Sequence, residues 1–161
     1  MFGDIKKYFL GNKGNNLLFI KNSNVRTKPF IILDYKDLKD KNYKYLESFL
    51  DENKLYAVRS SGVYSMPGIL DTYLNIQSKD VIKYIHLVEK SWNEPIAEIY
   101  KRVFNIKEDY SGGIIIQEMV NSVKGGSGVI IIKDKNNLIG EFVYNDYGTA
   151  VVNGKQTVLD F

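Results

Sequence analysis

Hydrophobic and polar positions along the first half of the chain alternate between the spacing of helices and that of strands. Consecutive apolar residues are typical of buried strands, whereas apolar residues three and four positions apart, with charges between them, are typical of amphipathic helices. The pattern predicts a short helix over residues 13–21 entered from a glycine turn, a strand over 29–33, a helix over 37–53, and a strand over 55–58 that delivers Arg59 to its carboxyl end.

The second half begins with helices and ends in β-rich runs that are separated by Gly, Asn and Asp turns. Strands joined by such short turns favour an antiparallel sheet. After residues 73–76, the predicted elements are a helix through Trp92 capped by Ser78 or Asp80, a second helix from Pro95 through Phe104, and strands over 113–120, 129–133, 138–144 and 149–153.

These elements predict an α+β fold in a single compact domain, residues 1–161. A helix and strand lobe would cover about residues 1–110, and a mainly antiparallel sheet lobe would cover about residues 111–161. A chain of 161 residues is long enough to bury a sizeable core, yet too short for two full enzymatic domains. Any function proposed for the chain must therefore fit one small fold.

Composition narrows the classes of protein that the chain can represent. Hydrophobic residues make up 44% and charged residues 25%, which are ordinary values for a globular protein. The apolar runs are too short for a membrane span and no signal peptide is visible, so we expect a cytoplasmic protein without a membrane partner. Because the chain has no cysteine, disulfides and thiolate metal sites are excluded. The net charge of +3 arises from interspersed charges, which argues against a nucleic-acid surface.

The segment from Val58 to Thr72 carries the most distinctive chemistry. It places an arginine, three serines, two glycines and a proline at the end of an apolar strand. A guanidinium presents a planar set of donors that matches phosphate oxygens, and glycines let backbone N–H groups turn toward an anion. The segment therefore indicates a polyphosphate site, with Asp71 and Thr72 better suited to locking the loop than to contacting a nucleotide.

Six blocks of residues follow one another along the chain: LGNKGNNL at 10–17, VRS at 58–60 with SMPGILDTYLN at 65–75, SWN at 91–93, IQEMV at 116–120, SGV at 127–129 and GEF at 140–142. Together they resemble the amino-terminal nucleotide-binding domain of the pyruvate phosphate dikinase and phosphoenolpyruvate synthase family. The SMPG segment followed by Asp71-Thr72 is similar to the dikinase branch in particular. The resemblance covers about residues 9–157 and implies a compact, ATP-grasp-like domain that binds ATP.

The resemblance implies phosphate-binding roles for two cations. Lys13 would place a point charge on the nucleotide phosphates, and Arg59 would bind them bidentately and stabilise the charge that develops during phosphoryl transfer, so both are candidate catalytic residues. Ser60 and Ser65 would donate to phosphate oxygens, as would Ser61. Without the resemblance, the same residues are compatible with a solvated turn lysine, a surface arginine and turn-forming serines.

Two further segments are implied to bind the nucleotide. Residues 117–120 would present backbone groups to the adenine edge and apolar side chains to its ring, and residues 124–128 would form a flexible loop whose amides close over the phosphates. Without the resemblance, the first is compatible with a strand that enters a turn and the second with a hairpin turn. The implied residues are Gln117, Glu118, Met119, Val120, Gly126, Ser127 and Gly128.

A magnesium ion that accompanies ATP would be held by Glu141 and Asn145, whose even spacing along a predicted strand places both side chains on one face. The chain departs from the family pattern at two positions. Thr149 stands where relatives carry an acidic residue, and Gln156 stands where they carry an arginine. These changes should weaken catalysis more than ATP affinity, because the replaced groups act on charge in the transition state.

Two hypotheses of function follow. In the first, the domain transfers a phosphoryl group from Mg-ATP to an acceptor in trans, such as a protein with a phosphorylatable histidine. The chain's one histidine, His86, is not that acceptor, because it lies inside a predicted helix and is expected to be structural. In the alternative, a degenerate and non-catalytic protein, encoded by a phage or another mobile element, sequesters a nucleotide or binds a partner. The departures at Thr149 and Gln156 favour binding over turnover.

Overall fold

The computed structural model describes residues 3–106, 112–135, 137–145 and 159–160. The chain divides into two compact units, Met1–Met119 (unit 1) and Val120–Phe161 (unit 2). The described elements of unit 1 are helices α1 (Gly3–Asn22), α2 (Tyr35–Lys39), α3 (Leu46–Phe49), α4 (Val81–Ser91) and α5 (Pro95–Val103), with strands β1 (Phe30–Leu33), β2 (Leu55–Gly62), β3 (Thr72–Gln77) and β4 (Gly112–Glu118); those of unit 2 are strands β5 (Gly126–Ile132), β6 (Leu138–Tyr144) and β7 (Leu159–Asp160).

Unit 1 is built on an antiparallel sheet in the order β1-β4-β2-β3. Strand β4 lies between β1 and β2, with Ile116 opposite both Ile31 and Val58. The sequence pattern assigned this strand to the second lobe, but its pairing on both edges makes it a central strand of the first sheet. The boundary between the units therefore follows Met119 rather than residue 110. That the two units form one domain stays a prediction.

The two faces of this sheet have different environments. One face carries the hydrophobic core, in which Val58, Ile114 and Ile116 pack with α4. The opposite face lies against α1, where a Cβ on Gly14 would stand 3.2 Å from Cδ1 of Ile32. Side chains alternate along a strand, so Arg59, next to Val58, belongs to the face that α1 covers. The core side chains contributed by α4 are Val81, Ile85, Val88 and, at its end, Trp92.

The helix predicted over residues 37–53 is wrong. Two short helices, α2 and α3, occupy this segment instead. Asp34 starts α2 through a capping box, since its side chain accepts the Asp37 N–H while the Asp37 carboxylate accepts the Asp34 N–H. Lys41 then has a φ of 49°, which ends the helical path. Local turn chemistry therefore overrides an apolar spacing that would suit a longer helix.

Most other predicted elements are confirmed with shifted ends. The strands β1 and β6 and the Pro95 start of α5 lie where the pattern placed them, although Asp80 begins α4 without a side-chain cap. Unit 2 has an antiparallel sheet in the order β5-β6-β7. The strand predicted over 149–153 lies outside the described residues. Within the described ranges, no helix has the length and hydrophobicity to cross a membrane.

Candidate functional site

Arg59 lies within strand β2 rather than in the loop that follows it. It stands opposite Thr72 of β3 and Ile115 of β4. The sequence pattern ended this strand at Val58, but pairing with β4 continues to Gly62 and fixes the backbone of Arg59 on both sides. Burial lowers the pKa of the Arg59 guanidinium. The cation is thus held by a central strand, in a partly desolvated environment that strengthens its attraction for an anion.

Helix α1 is interrupted at Gly11, where the chain meets strand β2. Gly11 has a φ of 69° and a ψ of 175°, and a Cβ there would lie 1.6 Å from the carbonyl oxygen of Ser61. Only glycine fits this close approach of two backbones. The Asn12 side-chain amide donates to the carbonyl oxygen of Val63, which ties the chain after the break to the end of β2. Residues 12–22 therefore resume the helix from a start that rests on the sheet.

Lys13, in the first turn after this break, is brought next to Arg59. Its Nζ donates to the carbonyl oxygen of Ser60 at 3.2 Å. Partial burial and the charge of Arg59 lower the pKa of the Lys13 amine. Neither cation forms an ion pair with a carboxylate in the part of the chain that the structure describes. Two neighbouring cations that lack a carboxylate partner among the described residues favour an anionic ligand.

The serines after Arg59 have three different environments. The Ser60 hydroxyl is 1% exposed and has no hydrogen-bond partner among the described residues, so the backbone rather than the side chain of Ser60 faces Lys13. The Ser61 hydroxyl is buried and already bonded to α1. Ser65 is exposed on the loop after β2, where its carbonyl oxygen accepts the Tyr100 hydroxyl at 3.3 Å. A phosphate-binding role for Ser60 and Ser65 stays a prediction.

Asp71 locks the end of the loop that follows β2, as the sequence predicted. Its carboxylate accepts the Tyr73 hydroxyl at 2.7 Å, and its backbone N–H donates to Oγ of Ser91 at 3.2 Å. Its carbonyl oxygen accepts the Ser60 N–H at 3.4 Å. The hydrogen bond to Asp71 raises the pKa of Tyr73 to about 12. The loop is therefore fixed to both β2 and α4 at its carboxyl end.

The segment predicted to bind adenine spans the end of unit 1. The Glu118 carboxylate pairs with Lys28 at 2.9 Å and Lys54 at 3.1 Å, and the hydrogen bond from Lys28 is the largest cause that lowers its pKa. The Met119 N–H donates to Leu55 at 2.8 Å, and the Glu118 N–H donates to Pro29 at 3.0 Å. These groups are engaged within the sheet. An adenine-binding role for Gln117, Glu118, Met119 and Val120 stays a prediction.

Residues 126–128 of the glycine-rich segment lie in a strand and not in a flexible loop. Gly126 and Gly128 lie in β5, opposite Tyr144 and Phe142 of β6. A Cβ on Gly126 would stand 2.1 Å from Cζ of Phe142, and one on Gly128 would stand 2.8 Å from Cδ2 of the same ring. Both glycines therefore make room for the Phe142 side chain. Phosphate contacts from Gly126, Ser127 and Gly128 stay a prediction.

The magnesium site predicted at Glu141 and Asn145 stays a prediction. Glu141 lies on β6 with its side chain exposed. Asn145 follows the end of that strand with a φ of 55°, so the alternation expected to place it on the face of Glu141 does not extend to it. No cluster of three or more His, Asp or Glu side chains that could hold a metal occurs within the described ranges. Thr149 and Gln156 lie outside the described residues.

Sequence reasoning missed the two residues that join α1 to β2. The Ser61 hydroxyl contacts Gly14 and Leu10, which are 47 and 51 residues away along the chain, and Gly11 makes the close backbone approach. The block at residues 10–17 includes this helix start, but a contact between residues 47 or 51 positions apart leaves no local pattern in the sequence. What the structure brings together is Lys13, Arg59 and the backbone of Ser60.

Comparison with known proteins identifies the family. The family described as pyruvate phosphate dikinase, AMP/ATP-binding domain, matches residues 34–160. Pyruvate, phosphate dikinase from Rickettsia typhi is 32% identical over 130 residues, covering 76% of this chain and 14% of the relative. The protein of the same name from Rickettsia felis is 29% identical over 164 residues, covering 96% of this chain and 18% of the relative.

The chain therefore belongs to the pyruvate phosphate dikinase AMP/ATP-binding domain family, which confirms the family that the six sequence blocks predicted. The α+β, ATP-grasp-like fold class is confirmed with it, since helices and antiparallel sheets make up the described structure. The chain spans roughly a seventh of the length of the Rickettsia typhi relative. The family match begins at residue 34, so Arg59 lies within it and Lys13 precedes it.

Proposed function

We propose that this chain binds ATP and that Lys13 and Arg59 contact the nucleotide phosphates. The observation that carries the proposal is the pair of neighbouring cations that β2 and α1 hold without a carboxylate partner in the described residues. Burial lowers both pKa values, and the charge of Arg59 lowers that of Lys13 further, so a bound polyphosphate would stabilise the charged form of both groups. Membership of a family described as AMP/ATP-binding supports the same ligand.

A second candidate function is transfer of a phosphoryl group from ATP to an acceptor in trans. The dikinase name of the relatives supports it, and the acceptor in this proposal is a protein with a phosphorylatable histidine in trans. Lys13 and Arg59 would then stabilise charge on the moving phosphoryl group. In this proposal Mg²⁺ is the ion that ATP carries, with Glu141 and Asn145 as its candidate protein ligands.

Isothermal titration in a cytoplasm-like buffer tests the binding proposal. The ligands are ATP, ADP and a non-hydrolysable ATP analogue, each added with magnesium and with EDTA. Lack of heat and of thermal stabilisation with every nucleotide would contradict it. A phosphorus NMR time course with Mg-ATP and a histidine-bearing acceptor protein then separates the two functions. Loss of the β- or γ-phosphate supports transfer, whereas binding without turnover supports a nucleotide-binding protein that sequesters its ligand.

A further inference from the structure

The hydroxyl of Ser61 makes two hydrogen bonds that hold the break in helix α1. It accepts the backbone N–H of Gly14 at 2.8 Å and donates to the carbonyl oxygen of Leu10 at 2.6 Å. Ser61 is 0% exposed, and its one proton and the acceptor site that faces Gly14 are both used. A direct contact with a phosphate, which the sequence allowed for Ser61, is therefore replaced by a contact with the protein's own backbone.

The first backbone N–H groups of a helix need acceptors from outside the helix, and a side chain just before the helix usually provides one. Gly11 cannot do so, because it has no side chain. Ser61 supplies the acceptor from the neighbouring strand, two residues after Arg59. The same hydroxyl donates to the last carbonyl group before the break, that of Leu10. The segments before and after Gly11 are therefore both hydrogen bonded to one atom of β2, the Ser61 Oγ.

We infer that Ser61 is the residue that positions Lys13 beside Arg59, by capping residues 12–22 of α1 from strand β2. The inference rests on the proposed function, in which these two cations bind the nucleotide phosphates. Lys13 lies one residue before Gly14, whose N–H the Ser61 hydroxyl accepts. Without that hydroxyl, the buried Gly14 N–H loses its partner, and the first helical turn keeps the Asn12 bond to Val63 but loses its backbone bond to β2. The amine of Lys13 then moves into water, away from Arg59.

The pKa of Lys13 in the nucleotide-free protein reports this position directly. It can be measured from the ¹³Cε shift of Lys13 in a pH titration, with the resonance assigned by Lys13→Arg. Partial burial and Arg59 lower this pKa, so release of the helix start raises it toward the ordinary lysine value of 10.5. Ser61→Ala is expected to raise the Lys13 pKa and to weaken ATP binding about tenfold. In the double variant Ser61→Ala/Lys13→Ala, ATP binding should be little weaker than in Lys13→Ala alone, because Ser61 acts through Lys13.

Ser91 provides a matched control. Its buried hydroxyl also accepts one backbone N–H, from Asp71, and donates to one backbone carbonyl, of Val88, but none of its partners lies on α1. Ser91→Ala should therefore cost comparable stability and leave the Lys13 pKa unchanged. If Ser61→Ala does not fold, Ser61→Cys, which keeps the shape with a weaker donor and acceptor, is measured in its place.

An unchanged Lys13 pKa in a folded Ser61 variant, or an equal rise in Ser91→Ala, would overturn the inference. Failure of the proposed function gives a different result. A protein that does not bind ATP would still show the rise of the Lys13 pKa on loss of the Ser61 hydroxyl, because that measurement needs no nucleotide.

Discussion

Two glycines with similar positive φ angles face different surroundings, and this contrast tests the close approach of α1 to β2. Gly11 has a φ of 69° and lies against the backbone of Ser61, whereas Gly68 has a φ of 73° and nothing within 4 Å of the point that a Cβ would occupy. A positive φ costs an alanine about 1–2 kcal/mol in the αL region, and Gly11, whose ψ of 175° lies outside that region, should cost about 1–3 kcal/mol for its backbone alone. Only Gly11 adds a clash with backbone atoms.

We therefore expect Gly11→Ala to lower the free energy of unfolding by more than about 3 kcal/mol, and Gly68→Ala to lower it by about 1–2 kcal/mol. Urea denaturation of both variants measures the difference. The Gly11 variant should also lose its response to ATP, since the start of residues 12–22 is displaced. Equal losses in the two variants would show that the approach to Ser61 is not tight.

Tyr73 gives unit 1 a pH dependence. Its hydrogen bond to Asp71 raises its pKa from the ordinary tyrosine value of 10.0 to about 12 in the folded protein. A raised folded-state pKa means that this stabilisation is complete below pH 10 and is lost as the pH rises through 12. Wild type should therefore lose its stability advantage over Tyr73→Phe between these values.

The measurement is the unfolding free energy of both proteins at several pH values from about 8 to about 12, because the difference removes the contribution of the other tyrosines. The expected advantage of the wild type below about pH 10 is about 1.5–3 kcal/mol, the range for a hydrogen bond to a charged group. A difference that does not change with pH would mean that Asp71 and Tyr73 are not bonded in solution.

At the scale of single residues, the sequence predicted the two cations and the role of Asp71 in fixing the loop after β2. It did not predict how these residues are arranged. Lys13, Arg59 and Asp71 were recognised because charged residues beside glycines and serines form a local pattern. The roles of Gly11 and Ser61 depend on contacts 47 or more residues apart, which no local pattern encodes. The hydroxyl of Ser61 looked like a phosphate ligand in sequence and is a helix cap in the fold.

At the scale of elements, the hairpin of β5 and β6 depends on glycines that admit an aromatic ring. Gly126 leaves space for Phe142, whose ring also contacts Tyr144 edge to face with centroids 4.7 Å apart. The family resemblance implied a flexible loop for the same glycines, and the sequence alone was compatible with a hairpin turn. Glycine fits both a loop and a strand that accommodates a large cross-strand neighbour, so the sequence alone does not separate the two.

Gly126→Ala should destabilise this hairpin by about 1–3 kcal/mol, because the ring must leave its position. The loss should shrink in a Phe142→Leu background, where no ring occupies the space. Amide hydrogen exchange in β5 and β6 measures both effects in a double-mutant cycle. Additive losses would show that Gly126 and Phe142 do not interact.

Element boundaries were predictable where one signal dominates. Pro95 was sufficient to predict the start of α5, and the apolar run was sufficient to predict β1, because each signal suits a single structure. Residues 37–53 carried two conflicting signals, an apolar helical spacing and the turn chemistry around Lys41, and the turn prevailed. Strand β2 extended past Val58 because its partner β4 continues, which only the folded sheet reveals.

At the scale of the whole molecule, order along the chain was more informative than any single motif. Each of the six blocks has an ordinary structural explanation, but their succession predicted the family that the match over residues 34–160 confirms. Membership does not by itself establish turnover, since the chain covers 14% of the Rickettsia typhi dikinase. The proposed function therefore depends on one physical claim, that the Lys13 and Arg59 pair binds ATP.

The thermal shift that saturating ATP produces in wild type, Arg59→Met and Lys54→Met tests this claim most directly. Lys54→Met is the matched control, because it removes a cation beside the same strand that is already paired with Glu118. A ligand at about 100 times its Kd stabilises the folded state by about 2.7 kcal/mol, which is readily seen as a rise in Tm. We expect the rise in wild type and Lys54→Met and its loss in Arg59→Met, with the nucleotide-free Tm of Arg59→Met unchanged or higher. A full ATP-induced rise in Arg59→Met would contradict the proposed site.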